Sequence, residues 1–140
     1  MGRFSMKLEL ANFADIVRIE SGDIPAENLR RFECEGVVDT GAAHLVIPSS
    51  AMDALGLEEV WQAKVRYADG HTASRPVVKK VWLRLCGRDD VFSAVVEPNR
   101  ETALIGAIVL EALDLVVDCV TQKLHPRDPN MMLTEMEGLA

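Results

Sequence analysis

An all-β domain, a small barrel or sandwich, is the fold class this sequence predicts, and three observations carry that reading. Short alternating or apolar segments recur at regular spacing between Lys7 and Leu124, as they do in compact all-β domains. Asp69-Gly70 lies between two alternating runs, where both residues tolerate the positive φ of a type I′ hairpin turn. Only two segments read as helices, and both are too short for alternating βαβ units.

The elements follow in order. Lys7 to Phe13 alternates polar and apolar side chains, the period of a half-buried strand. Ile16 to Glu20 is a weaker strand candidate, and Ser21-Gly22-Asp23-Ile24-Pro25 is turn chemistry. Arg31 to Val38 alternates and then turns wholly apolar, so it predicts a strand entering the core. That strand stops at Asp39-Thr40-Gly41-Ala42, and Leu45-Val46-Ile47 resumes as a short core strand. Ser49 or Ser50 is placed to cap a short helix over Ala51 to Leu55, which Gly56 ends. Ala63 to Arg75 is the Asp-Gly hairpin. Val77 to Leu85 is a strand, Cys86 to Asp90 turns it, and Val91 to Val96 returns until Pro98-Asn99 breaks it. Leu104-Ile105 precedes Gly106, and Ala107 to Leu113, free of Gly and Pro, predicts a helix. Leu115 to Asp118 is a strand, and Val120 to Leu124 continues the sheet after a turn. The expected organisation is a single β-domain over 1–126 and a flexible tail over 127–140.

Composition narrows the function classes. The 140 residues suit one domain. Apolar residues make up 49% and aromatic residues 5%, so aliphatic side chains must fill the core. A net charge of −7, with no basic run longer than two residues, repels a phosphate backbone and argues against nucleic-acid binding. The longest apolar run is far short of a membrane span, and Met1 to Met6 holds no apolar signal region. Cys34, Cys86 and Cys119 are odd in number and widely spaced, which fits reduced, small buried thiols in a cytoplasmic protein. No Cys-x-x-Cys or paired His motif calls for a metal, and no cofactor is implied.

Chemistry concentrates at Asp39. Two apolar residues, Val37 and Val38, precede it and set its carboxylate at the core boundary, where desolvation matters. Gly41 lets the chain turn tightly and brings its amide near that carboxylate, and Thr40 adds a hydroxyl. By itself Asp-Thr-Gly is also an ordinary turn tripeptide. His44 and His125 read as exposed residues, Ser49-Ser50 lacks the Gly-x-Ser-x-Gly elbow of a nucleophile, and Asp118, with no Thr-Gly after it, reads as a turn residue.

The order of the motifs adds the rest. Val37-Val38-Asp39-Thr40-Gly41-Ala42-Ala43-His44-Leu45-Val46-Ile47, then Tyr67-Ala68-Asp69-Gly70-His71, then Ala103-Leu104-Ile105-Gly106-Ala107-Ile108-Val109-Leu110 resembles the retropepsin-like aspartic proteases, over roughly Leu8 to Leu124. The resemblance implies a small closed β-barrel of the acid-protease type. It implies catalysis by Asp39, Thr40 and Gly41, and substrate binding by Ala42, Tyr67, Asp69, Gly70, His71, Ile105 and Gly106. It also implies a homodimer acting on a peptide or protein, because the chain holds one Asp-Thr-Gly and such enzymes use two. Asp69 and His71 make the hairpin tip more polar than in retroviral enzymes. Ala42 stands where pepsin-like loops often carry serine, so one donor to the carboxylates is missing and activity is expected at milder pH. The alternatives are a retropepsin-fold module that binds a peptide or dimerises without cleaving, and an unrelated β-domain in which Asp-Thr-Gly-Ala is only a turn.

Overall fold

The computed structural model describes residues 3–136. Nine strands and three short helices follow one another in this order: β1 (Phe4–Asn12), α1 (Phe13–Glu20), β2 (Arg31–Val38), β3 (Leu45–Pro48), α2 (Ser49–Leu55), β4 (Glu59–Arg66), β5 (Thr72–Leu85), β6 (Arg88–Glu97), β7 (Ala103–Ile105), α3 (Ala107–Leu113), β8 (Leu115–Asp118) and β9 (Lys123–Pro126). A 3-10 turn spans Ala26–Asn28.

Seven strands form one sheet in the order β1-β2-β7-β3-β6-β5-β4, and β1 also pairs with β5. That pairing closes β1, β2, β7, β3, β6 and β5 into a six-stranded barrel and leaves β4 attached outside it. Closure removes the open edges an all-β domain must otherwise protect. The pairs β2–β7 and β3–β6 are parallel; the others in the ring are antiparallel. The all-β barrel expected from the sequence is the observed fold.

Strand β5 shows how fourteen residues serve two jobs. One edge stays with β6 from Val77↔Val95 to Leu85↔Arg88. The other edge pairs with β4 up to Val78 and with β1 from Val81 onward. The register shifts between Val78 and Val81 at this change of partner, and Lys80 takes a left-handed φ of 62°. A bulge bends and twists a strand, which lets β5 enter the ring after leaving the outer hairpin.

The core follows from the period of two. Val81, Leu83 and Leu85 of β5 and Phe92, Ala94 and Val96 of β6 alternate inward and are buried, as are Leu8, Leu10, Val38, Leu45, Ile47 and Ile105. Helix α2 adds Ala51 and Leu55, and α3 adds Val109, Leu110 and Leu113. Each leucine-sized side chain removed from water contributes about 2 kcal/mol.

Four local expectations are corrected. Ile16 to Glu20 is helix α1: the Asn12 side chain accepts the Asp15 N–H at 3.1 Å and donates to Leu55 O at 2.8 Å, a cap that overrides the strand propensity of Ile16, Val17 and Ile19. Pro48 is the N-cap of α2 and no side chain caps it, so Ser49 and Ser50 lie inside the first turn. Gly56, at φ 64°, ends α2 as expected. The Asp69-Gly70 turn is not type I′. Gly70 N donates to Tyr67 O and Tyr67 N to His71 O, both at 2.9 Å, with only Gly70 of that turn at positive φ. This is the three-residue loop that ends in a left-handed glycine. Finally, β9 does not extend the main sheet; it pairs with β8 alone.

Residues 127–136 carry no helix or strand. Side chains of the barrel bond to them, and residues 137–140 of the expected tail lie outside the described residues. Arg88 donates to the carbonyls of Asp128 and Met131, the latter at 2.9 Å, and the Asp114 carboxylate accepts Leu133 N at 2.8 Å and Arg127 Nε at 2.9 Å. Cys34 and Cys86 are half-buried, whereas Cys119 is exposed, contrary to the expectation of three buried thiols. Among the described residues no helix is long and apolar enough to cross a membrane.

Candidate active site

The Asp39 loop hangs from the end of β2. Val38 is buried, and the Asp39 carboxylate emerges with its side chain 20% exposed. Its backbone is fixed twice: Asp39 N donates to Ile105 O and Ala42 N to Asp39 O, each at 3.1 Å. Gly41 N donates to Asp39 Oδ1 at 3.0 Å, so the tight turn aims an amide at the carboxylate. Thr40 is exposed beside it.

Gly106 joins this loop to α3. A Cβ there would lie 2.6 Å from His44 O and 2.7 Å from the Ala43 carbonyl carbon and oxygen. These are backbone atoms that cannot rotate away, so only glycine permits the approach. The approach lets Ala107 N donate to Ala42 O at 2.8 Å and Ile108 N to Ala43 O at 3.0 Å. The loop and the Ile105-Gly106 segment are therefore one rigid unit, 65 positions apart in sequence at their closest hydrogen bonds.

A cleft of about 310 Å³ opens at Asp39, walled by Thr40, Phe4 and Arg3 on one side and by Val117 and Cys119 of the β8–β9 hairpin on another. The Arg3 guanidinium stands 3.3 Å from Asp39 Oδ2. Arg3 is 68% exposed, so solvent screens this pair. A second hollow of about 180 Å³, mostly apolar, lies among His44, Trp61, Ala63, Val77 and Val95.

The hairpin residues Tyr67, Asp69, Gly70 and His71 bond to one another and to the barrel rim rather than to the loop. His71 N donates to Asp69 Oδ1 at 3.0 Å, and these hydrogen bonds hold the Asp69 carboxyl below the usual range. The Tyr67 and His71 rings stack with centroids 4.4 Å apart. Tyr67 OH donates to Glu97 Oε2 at 2.6 Å. Thus Asp39, Thr40, Gly41, Ala42, Ile105 and Gly106 share one site, and Tyr67, Asp69, Gly70 and His71 form a separate cluster. Asp118 is a turn residue, its Oδ1 accepting Val120 N and Thr121 N at 3.0 and 3.2 Å. His44 and His125 are exposed.

Sequence reading missed Arg3, Arg75 and Glu97. No local signal marks them, since each meets its partner only through the fold: Arg3 lies 36 positions from Asp39, and Glu97 lies 30 from Tyr67.

The profile of the aspartyl protease family matches residues 19–109. The chain belongs to that family, which bears out the resemblance read from the Asp39 and Gly106 motifs. Among solved structures it is similar to the simian foamy virus (mac) protease in solution, at 13% identity and a TM-score of 0.44, over 56% of this chain and 80% of that one. No curated protein matches it.

Proposed function

We propose that the chain is an aspartic endopeptidase that works as a homodimer, each copy giving one Asp39. The observation that carries this reading is the Asp39 carboxylate, partly exposed at the end of a buried strand and oriented by the Gly41 amide, in a chain with a single Asp-Thr-Gly. One such group can orient a water but cannot also protonate the leaving amide, so two are needed.

Two carboxylates brought face to face cannot both hold a charge easily and share one proton; the general case of such dyads in aspartic proteases is a standard example of paired titration. The ionised member takes a proton from water, which attacks the peptide carbon, while the protonated member donates to the carbonyl oxygen. The proton then passes to the departing nitrogen. No covalent intermediate forms. The hairpin around Gly70 serves as a flap over the cleft, its backbone pairing with an extended peptide.

The test is cleavage of a denatured protein mixture across acidic to neutral pH, with and without pepstatin, beside Asp39→Asn. The expected outcome is pepstatin-sensitive cleavage that the variant loses while its fold and oligomeric state stay intact. One observation favours a second reading, a peptide-binding module: Arg3 occupies Asp39 Oδ2. A dimeric wild-type protein that cleaves nothing but retains peptides would establish that alternative.

A further inference from the structure

The outer hairpin has a support problem. Strand β5 pairs with β6 only from Val77 onward, so the ribbon from Gln62 to Pro76 has no partner in the barrel ladder. A two-stranded ribbon alone in water is marginal. Its side chains show what holds it. The register that sets Val77 opposite Val95 brings Arg75, two residues before Val77, across from Glu97, the last residue of β6. Arg75 Nε lies 2.7 Å from Glu97 Oε1 and 2.9 Å from the Tyr67 hydroxyl oxygen, and that hydroxyl donates to Glu97 Oε2 at 2.6 Å.

Both oxygens of one carboxylate are thereby used, one toward each strand side of the ribbon. The Glu97 side chain is 12% exposed and Arg75 21%, so water competes weakly for these bonds. Desolvation and the Glu97 carboxylate push the Tyr67 phenol up, which keeps it a donor. The His71 ring stacks on Tyr67 at an interplanar angle of 16°, linking the far side of the turn to the same anchor.

We propose that Glu97 is a positioning residue: with Tyr67 and Arg75 it forms a latch that fixes the hairpin tip against the barrel rim. The role rests on the reading of this hairpin as the cover of a peptide cleft. Charge-assisted hydrogen bonds are the stronger kind and are shortened when desolvated. A tip already held needs less ordering when a peptide binds, so the latch acts on substrate affinity rather than on the chemical step.

Hydrogen exchange on the full chain tests this without any need for activity. Tyr67→Phe removes the hydroxyl and keeps the ring; Glu97→Gln removes the charge and keeps the shape. Each is expected to speed amide exchange over residues 66–73 by roughly tenfold or more, with β2 and β7 amides unchanged. The double variant should match the single ones, because either change opens the same latch. Unchanged exchange in the hairpin would overturn the proposal. So would a uniform rise across the barrel, the signature of a residue that merely stabilises the fold. In the cleavage assay, Glu97→Gln should raise KM several-fold and leave kcat within about twofold; a fall in kcat at constant KM would assign Glu97 a different role. If the chain cleaves nothing, the peptidase reading fails while the exchange result still decides the latch.

Discussion

Gly106 is the residue on which the Asp39 loop depends. A methyl group there meets only backbone, at 2.6–2.7 Å, so the Ala42–His44 segment would have to move. Gly106→Ala should therefore destabilise the fold by about 1–3 kcal/mol, as overpacking does, and weaken the bonds from Ala107 and Ile108 to the loop; urea unfolding and amide exchange at Ala107 would show both. Asp15 makes a second residue-scale case. It is 2% exposed and is gripped by Arg30, with Nε to Oδ2 and Nη2 to Oδ1 both at 2.8 Å and Arg30 N to Oδ2 at 3.1 Å. The Arg30 side-chain hydrogen bonds, outweighing desolvation, hold the Asp15 carboxyl below its ordinary range. A lowered pKa contributes stability above the unfolded value near 3.9 and loses it as pH falls through the folded value. Asp15→Asn should thus lower the urea midpoint clearly at pH 6, and the gap from wild type should narrow as the pH is taken below the unfolded value of about 3.9. A gap that stays constant with pH would show that the charge at Asp15 plays no part.

At the scale of elements, the sequence disclosed what local chemistry decides and hid what partners decide. Helix α3 was legible to its last residue because Gly106 precedes a run free of Gly and Pro in which only Glu111 is polar, and the structure ends it at Asp114, at left-handed φ 53°. Helix α1 read as a strand because Ile16, Val17 and Ile19 are β-branched, and its cap, Asn12, looked like the tail of the preceding strand. The active-site loop was legible because the hydrogen bonds that fix its backbone and aim the Gly41 amide at Asp39 lie among motif residues. Arg3 and the Glu97 latch were not, since Arg3 meets Asp39 from 36 positions away and Glu97 meets Arg75 and Tyr67 from 22 and 30, with no pattern to mark them. The β5 bulge was equally silent. Lys79-Lys80 carries no glycine, yet Lys80 adopts φ 62°, a conformation that costs an L-residue roughly 1–2 kcal/mol. A branched side chain suffers most there. Lys80→Val should therefore destabilise by about 1–2 kcal/mol, whereas Lys80→Gly should be neutral or slightly stabilising, its relief of strain offsetting the greater freedom of the unfolded chain. Thermal unfolding of the two variants side by side measures the contrast, and equal effects would show that the bulge does not depend on this backbone conformation.

On the scale of the whole molecule, one barrel holds one Asp39, and two exposed apolar side chains adjoin its loop: Val120, next to the cleft residue Cys119, is 93% exposed, and Ile108, whose N–H donates to Ala43 O, is 44% exposed. A shared site has a stoichiometric consequence that a site contained in one chain lacks. Mixing wild type with an equal amount of Asp39→Asn, and allowing subunits to exchange, puts roughly a quarter of the dimers in the fully wild-type form. Because the number of dimers has doubled, the cleavage rate should fall to about half that of the same wild-type protein alone. If each barrel cleaved by itself, the inert variant would only dilute the mixture and the rate per wild-type chain would not change. The same halving should vanish when the variant is added at concentrations too low to dimerise, which ties the loss to pairing rather than to competition for substrate. A rate that stays unchanged after complete exchange would place both required groups on one chain, and Asp39 would then need a partner other than its own copy.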